Sequence, residues 1–174
     1  AHNNTAVGAD ALLANTTGTE NVAVGQVALA SNTTGNYNTA LGRASLNANT
    51  TASNNTAVGY RALDVNTTGT TNTAVGTQAL TANTTGSGNS AVGRSSLGAN
   101  TTGNGNAAFG AYYIGNVNAA LSLNTTGNYN AAFGAGALQS NTTASNNTGI
   151  GYNALGTNTT GSENTALGTD ALKA

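Results

Sequence analysis

Asn72-Thr73-Ala74-Val75-Gly76-Thr77-Gln78-Ala79-Leu80-Thr81-Ala82-Asn83-Thr84-Thr85-Gly86-Ser87-Gly88 is one complete phrase, and Asn89 starts it again. Its second half marks the period along the whole chain. Asn-Thr-Thr begins at Asn15, Asn32, Asn49, Asn66, Asn83, Asn100, Asn124, Asn141 and Asn158, so the same spacing recurs throughout except for one longer step, from Asn100 to Asn124. Its first half, Asn-x-small-large-Gly, begins at Asn4, Asn21, Asn38, Asn55, Asn72, Asn89, Asn106, Asn130, Asn147 and Asn164, with the same single interruption. A fixed period of this length is the signature of a repeat architecture.

Superimposing the copies gives columns. A large apolar column reads Val7, Val24, Leu41, Val58, Val75, Val92, Phe109, Phe133, Ile150 and Leu167. A small column precedes it, Ala in every copy except Gly149. Glycine follows it without exception: Gly8, Gly25, Gly42, Gly59, Gly76, Gly93, Gly110, Gly134, Gly151 and Gly168. Four residues past most of those glycines stands a second large column: Leu12, Leu29, Leu46, Leu63, Leu80, Leu97, Ile114, Leu138, Leu155 and Leu172. Counted backward from the next repeat, Leu121 claims the place that Ile114 takes when counted forward.

Each coil thus has two apolar segments too short for a helix, which needs at least about ten residues. Thr-Ala-Val alternates as a strand does, and Thr and Val favour extended backbone. The following glycine marks one bend and Asn-Thr-Thr-Gly a second. Two short strands and two bends predict a flattened coil, with coils stacked about 4.8 Å apart. About ten of them make a rod on the order of 45 Å long. The fold class expected is all-β, a parallel β-solenoid of 17-residue coils. It forms one tandem-repeat unit over 1–174, with a seven-residue irregularity near 111–121. Asparagines at two fixed places per coil are expected to form ladders, amide to amide along the stack.

Each coil is expected to bury two large side chains, Val75 and Leu80 in the phrase quoted. That burial cannot by itself offset the entropy of ordering the whole coil. A lumen filled largely by Ala and Gly is thin, and a slender rod has a poor ratio of volume to surface. Side-by-side association is therefore expected, as a closed homotrimer, with Thr and Ala of the first strand as a close contact face. The alternative is a monomer with a hydrated Thr/Asn surface. Exposed coil ends are adhesive edges, and neither end shows a polar cap. A segment of a longer fibre, with other domains on both sides, is the expectation; a start in mid-phrase without Met agrees with it.

Composition excludes several partners. Only 5% of residues are charged and the net charge is −1. Arg43, Arg61, Arg94 and Lys173 are far apart in sequence and make no basic patch, so no nucleic acid is expected. No apolar run is long enough to span a membrane, and the absence of cysteine excludes a disulfide framework. His2 is the only histidine. Asp10, Glu20, Asp64, Glu163 and Asp170 are scattered, and no serine has a His/Asp partner set. The glycine-rich phrases lack the Lys-Ser/Thr of a phosphate loop. No enzyme, metal or cofactor is expected.

The irregular coil holds Tyr112 and Tyr113, the most aromatic point of the chain. The insertion reads either as a bulging loop, with the paired tyrosines as a contact site, or as an enlarged coil. In the enlarged coil the tyrosines pack over a core thickened by Phe109 and Phe133. Tyr37 and Tyr129 share one turn column; Tyr60 and Tyr152 share another, just after the column glycine. All four are candidate surface contacts, or shields for apolar neighbours. Each Asn-Thr-Thr is formally an N-glycosylation sequon, but a repeat that demands Asn-Thr-Thr for its turns produces sequons automatically.

Asn72-Thr-Ala-Val-Gly76 with Ala79-Leu80 and Asn83-Thr-Thr-Gly86 resembles the head repeats of trimeric autotransporter adhesins. It is similar also to repeats of bacteriophage tail fibres and other bacterial surface fibres. The resemblance covers essentially the whole chain. It implies a left-handed parallel β-roll with three chains side by side. It implies exposure at a bacterial cell surface or virion, and a host or prey surface glycan or protein as receptor. The usual head repeat is shorter than this one, which lies nearer the fibre type. The function expected is a structural or adhesive fibre segment that spaces or presents a receptor-binding region. The alternative is a flat-faced solenoid that binds an ordered surface such as ice or polysaccharide; Val22, Ser90, Ala107 and Ala131 interrupt the Thr column that such a face would need.

Overall fold

The computed structural model describes residues 1–111 and 118–173; Tyr112, Tyr113 and Ile114 lie outside the described residues. Among the described residues ten strands form one parallel sheet in chain order. They are β1 (Thr5–Val7), β2 (Val22–Val24), β3 (Thr39–Leu41), β4 (Thr56–Val58), β5 (Thr73–Val75), β6 (Ser90–Val92), β7 (Ala107–Phe109), β8 (Ala131–Phe133), β9 (Thr148–Ile150) and β10 (Thr165–Leu167). Equivalent residues pair from coil to coil: Val58 with Val75, and Val75 with Val92. The one longer step keeps the same register, with Phe109 opposite Phe133. The chain is a parallel β-solenoid of 17-residue coils, as the period predicts.

Which side of the strand faces inward corrects one expectation. A three-residue strand turns its middle side chain one way and its flanks the other. Here the middle is the small column, and Ala23, Ala40, Ala57, Ala74, Ala91, Ala108 and Ala132 are fully buried. The large column points out: Leu80 is fully buried but Val75 is 37% exposed. Lumen space explains the choice. The opposite wall already supplies a Leu, and two asparagines per coil project inward, so a methyl group is what fits behind the strand. The outward side of the strand is formed by Thr and Val, not by the Thr and Ala that the sequence suggested for it.

The second apolar segment is not a strand, contrary to expectation. In the quoted coil Gln78 and Leu80 have φ of 59° and 51°, and equivalent residues of other coils repeat the two left-handed positions. An extended segment would send Ala79 and Leu80 to opposite sides; with this backbone both are fully buried. Each left-handed position costs about 1–3 kcal/mol, against which stand the burial of a Leu side chain, about 1.5–3 kcal/mol, the burial of Ala79 and the hydrogen bonds of the segment. The segment still bonds to both neighbouring coils. Gln78 N–H donates to the Tyr60 carbonyl at 2.9 Å, and Leu80 N–H donates to the Ser96 carbonyl at 3.1 Å.

Glycine follows the strand for a reason of clearance. Gly76 has φ of 135°, and a Cβ there would stand 2.7 Å from the backbone of Gly93 in the next coil. Two asparagine ladders line the lumen. Asn83 Nδ2 donates to Asn66 Oδ1 at 2.9 Å and to the Gly86 carbonyl at 2.9 Å, and its own Oδ1 accepts from Asn100 Nδ2 at 2.8 Å. In the other ladder Asn72 Oδ1 accepts the backbone N–H of Asn89 at 3.0 Å, while Asn72 Nδ2 donates to the Gly86 carbonyl at 2.8 Å. Among the described residues no buried side-chain polar atom lacks a partner.

The insertion leaves the coil intact. Ala120 N–H donates to the Gly110 carbonyl at 3.2 Å, the turn bond that Ala79 and Gly76 make at 3.2 Å. Leu121 takes the place in the Leu column: it is fully buried, and its N–H donates to the Ala137 carbonyl at 3.0 Å. The coil that closes through Asn118–Leu121 therefore has the ordinary cross-section, and the extra length falls between Gly110 and Asn118.

Candidate interaction surface

The outward face of the sheet is built from the residues that flank each buried alanine. On one side of that alanine run Thr5, Val22, Thr39, Thr56, Thr73, Ser90, Ala107, Ala131, Thr148 and Thr165; on the other runs the Val column. Val7, Val24, Leu41, Val75, Phe109, Phe133, Ile150 and Leu167 are all exposed, and Val58 and Val92 are half-buried. The result is an apolar stripe, one large side chain per coil, along the full length of the sheet. None of its residues is charged. Phe109 and Phe133 stack within it, with ring centroids 4.8 Å apart and planes 4° from parallel. These two are surface residues with 37% and 41% exposure, not a local thickening of the core.

The tyrosine pairs lie at the two edges of this face. Tyr37 and Tyr129 precede the inward asparagines Asn38 and Asn130, at φ of 58° and 54°. They are the most exposed aromatics described, at 55% and 67%. Tyr60 and Tyr152, also exposed, follow the column glycines on the opposite edge. Arg43 lies 5.6 Å from the centroid of the Tyr60 ring, within cation–π range. Tyr112 and Tyr113 cannot be placed relative to them, being outside the described residues.

A longer repeat, which reading the columns singly misses, explains the pairing of the tyrosines. The coils from Asn32 to Ala82 recur from Asn124 to Ala174. Within them Tyr37, Ala52-Ser53-Asn54, Tyr60 and Thr77 recur as Tyr129, Ala144-Ser145-Asn146, Tyr152 and Thr169. The signal available in the sequence was the rare residues, not the common ones.

Elsewhere the surface is threonine and scattered charge. The first Thr of Asn-Thr-Thr is tied down: Thr84 Oγ1 donates to the Thr101 carbonyl at 3.1 Å. The second, Thr17, Thr34, Thr51, Thr68, Thr85, Thr102, Thr126, Thr143 and Thr160, is exposed in every copy. Asp64 accepts from Arg61 at 2.7 Å, and Asp170 pairs with Lys173 at 3.0 Å. The hydrogen bond from Lys173, and then one from Asn153, holds the Asp170 carboxyl below the usual carboxylate range. A groove of about 340 Å³ lies beside the irregular coil, with Gln78, Ser95, Gly98 and Asn118 in its lining. Among the described residues no group of three His, Cys, Asp or Glu could hold a metal ion, and no helix is long and apolar enough to cross a membrane.

No family model, curated protein or solved structure matches the chain.

Proposed function

We propose that the chain is a structural or adhesive segment of an elongated surface fibre, three copies side by side, that spaces or presents a receptor-binding region. The observation that carries this is the apolar stripe from Val7 to Leu167. A contiguous apolar surface of this kind marks an interaction site. A stripe that follows the rod from coil to coil fits a partner of the same length and rise. A second copy of this chain has both. Around a threefold axis, each coil would contribute one Val, Leu, Ile or Phe to a shared apolar layer. This would supply the volume that the alanine-filled lumen lacks.

The resemblance to adhesin head and phage fibre repeats supports the same reading. With it go a left-handed winding, an extracellular place on a bacterial surface or virion, and a glycan or protein receptor. The chain is read as non-catalytic. The mass in solution tests the proposal: sedimentation across a range of concentrations is expected to give three copies. A monomer at all concentrations would overturn it.

A second reading, binding of an ordered surface such as ice or polysaccharide, is favoured by the unbroken exposed column from Thr17 to Thr160. It is the weaker of the two, because the neighbouring Thr column spends its hydroxyls on carbonyls of the next coil. A monomer that reshapes growing ice crystals would support it against the fibre.

A further inference from the structure

At two adjacent levels the outward face trades size between the two residues of a pair, which it does not do at levels such as Val22 with Val24 or Thr39 with Leu41. Three coils carry Thr with Val, as Thr5 and Val7, Thr56 and Val58, and Thr73 and Val75 do. Where the large column grows to Phe, at Phe109 and Phe133, the partner across the buried alanine shrinks to Ala, at Ala107 and Ala131. Both substitutions lie on a face that water would otherwise cover, and water imposes no limit on volume. Compensation of large by small is what a packed interior requires. The smallest pair, Ser90 and Val92, lies directly beside Phe109 in the register.

A ladder of identical Thr–Val levels would associate with poor register. Two such rods slipped by one coil lose only the end level, and every other level meets an equivalent one. The adjacent Ala–Phe levels break that degeneracy. A slip of one coil sets Phe109 against a Ser90–Val92 level and Phe133 against a Phe109 level. It also leaves a Thr148–Ile150 level facing Ala131 and Phe133. An antiparallel arrangement sends both Phe levels to the β3 and β4 end of the partner. Only the parallel, level arrangement brings both Phe levels to Phe levels while every other level also meets its own equivalent.

We propose that Phe109 and Phe133, with Ala107 and Ala131, are the register determinant of this face, and that its occupant is a second copy of this chain, parallel and level. The inference rests on the side-by-side association proposed above. Phe109 and Phe133 act through shape: their stacked rings form one raised step along the stripe, and the alanines beside them leave the room that a neighbouring step takes up.

The chain has no cysteine, so a single label can be placed without ambiguity. Thr34→Cys is suited to it: Thr34 is exposed, lies off the stripe and sits toward one end of the rod. Carrying a spin label there, the otherwise unchanged chain is expected to show one narrow distance between copies. The test variant combines Ala107→Thr, Phe109→Val, Ala131→Thr and Phe133→Val. It installs at both levels the pair already present in β1, β4 and β5, so folding is expected to survive, and a circular dichroism melt checks this. The variant is expected to keep the same mass but to spread into a broader distribution that reaches longer distances, because each coil of slip offsets the labels axially by about 4.8 Å, which adds in quadrature to their lateral separation. A single narrow distance in the variant would overturn the assignment of register to the phenylalanines. Distances of many coils in the unchanged chain would overturn the parallel, level arrangement. A chain with no distance between copies would overturn the association itself, and the register with it.

Discussion

Val75 and Leu80 lie on one coil and face opposite sides of its wall, Leu80 sealed in the lumen and Val75 on the surface. Their substitutions should therefore separate folding from assembly. Leu80→Ala removes buried methyl groups and leaves a cavity, at a cost of about 2–5 kcal/mol. Val75→Asp places a charge on a surface site and is expected to change the stability of the single coil stack by less than about 1 kcal/mol. It should nonetheless abolish association, because the same carboxylate would be buried between copies. Chemical denaturation read beside sedimentation distinguishes the two. A Val75→Asp chain that keeps the same mass across concentrations would show that the large column takes no part in the contact between copies.

Clearance between coils makes a second contrast, at two glycines of one neighbourhood. Gly76→Ala meets the backbone of Gly93 at 2.7 Å and must hold φ near 135°. The conformation alone costs about 1–3 kcal/mol, and the clash adds to it by forcing the stack apart. Gly88 has φ of 68° with its nearest neighbours at 3.9 Å. Its column holds Asn3, Asn54 and Asn146 at φ of 57°, 62° and 60° in other coils. Gly88→Asn is expected to be neutral or stabilising, by up to about 1 kcal/mol, since the unfolded chain loses freedom. Thermal melts of the two variants check the difference.

Much of this molecule was legible because a solenoid writes its geometry into one period. The spacing of Asn15, Asn32 and Asn49 fixed the coil length, and the pairing of Val58, Val75 and Val92 followed from it. The alternation of Thr73, Ala74 and Val75 said that neighbours face opposite ways, but hydrophobicity alone suggested the wrong face. Burying Val is the better choice only where the lumen has room, and that room is set by Leu80 and by Asn72 and Asn83 from other parts of the coil. The left-handed backbone at Leu80 left no mark in residue type, because Leu is a poor indicator of positive φ; at the Gln78 place the mark was partial, with Asp10, Gly136, Asn153 and Asp170 among Val27, Ala44, Arg61 and Ser95. The paired tyrosines were visible as columns; their recurrence within one larger block needed the rare residues to be compared over several coils.

The Asn83 ladder gives a prediction in pH. Asn83 donates through Nδ2 to Asn66 Oδ1 and accepts from Asn100 Nδ2, all three fully buried. Asn83→Asp keeps the shape but, when ionised, turns the donor into a second acceptor aimed at Asn66 Oδ1. Burial raises the pKa of the new carboxyl in the folded state above its unfolded value of about 3.9. The folded chain then holds the proton more tightly than the unfolded one, so its stability relative to the unfolded state rises as pH falls through the folded pKa. Once protonated, the carboxyl can donate to Asn66 and restore that rung, but not also to the Gly86 carbonyl, which keeps its bond from Asn72 Nδ2. The melting temperature of Asn83→Asp should lie well below that of the unchanged chain at pH 7, and the gap should narrow toward about pH 4. A gap independent of pH would mean that the loss lies in packing rather than in the charged ladder.

Burial also sorts the sequons, which sequence alone left alike. Asn32, Asn49, Asn66, Asn83, Asn100, Asn124 and Asn141 are fully buried, with their amide nitrogens committed to the neighbouring coil and to a turn carbonyl. Transfer of a sugar to any of these nitrogens would require the coil to open. Three further sequons arise where asparagine precedes the inward one: Asn3, Asn54 and Asn146, each exposed at a left-handed corner. Treating the folded chain with an N-glycosyltransferase and a nucleotide-activated hexose is expected to modify only these exposed corners among the residues compared. The chain unfolded in urea and presented as peptides should accept sugar at the Asn-Thr-Thr positions as well. Peptide mass mapping reads both. Sugar on Asn66 or Asn83 of the folded chain would mean that the coils open far more readily than two complete asparagine ladders allow.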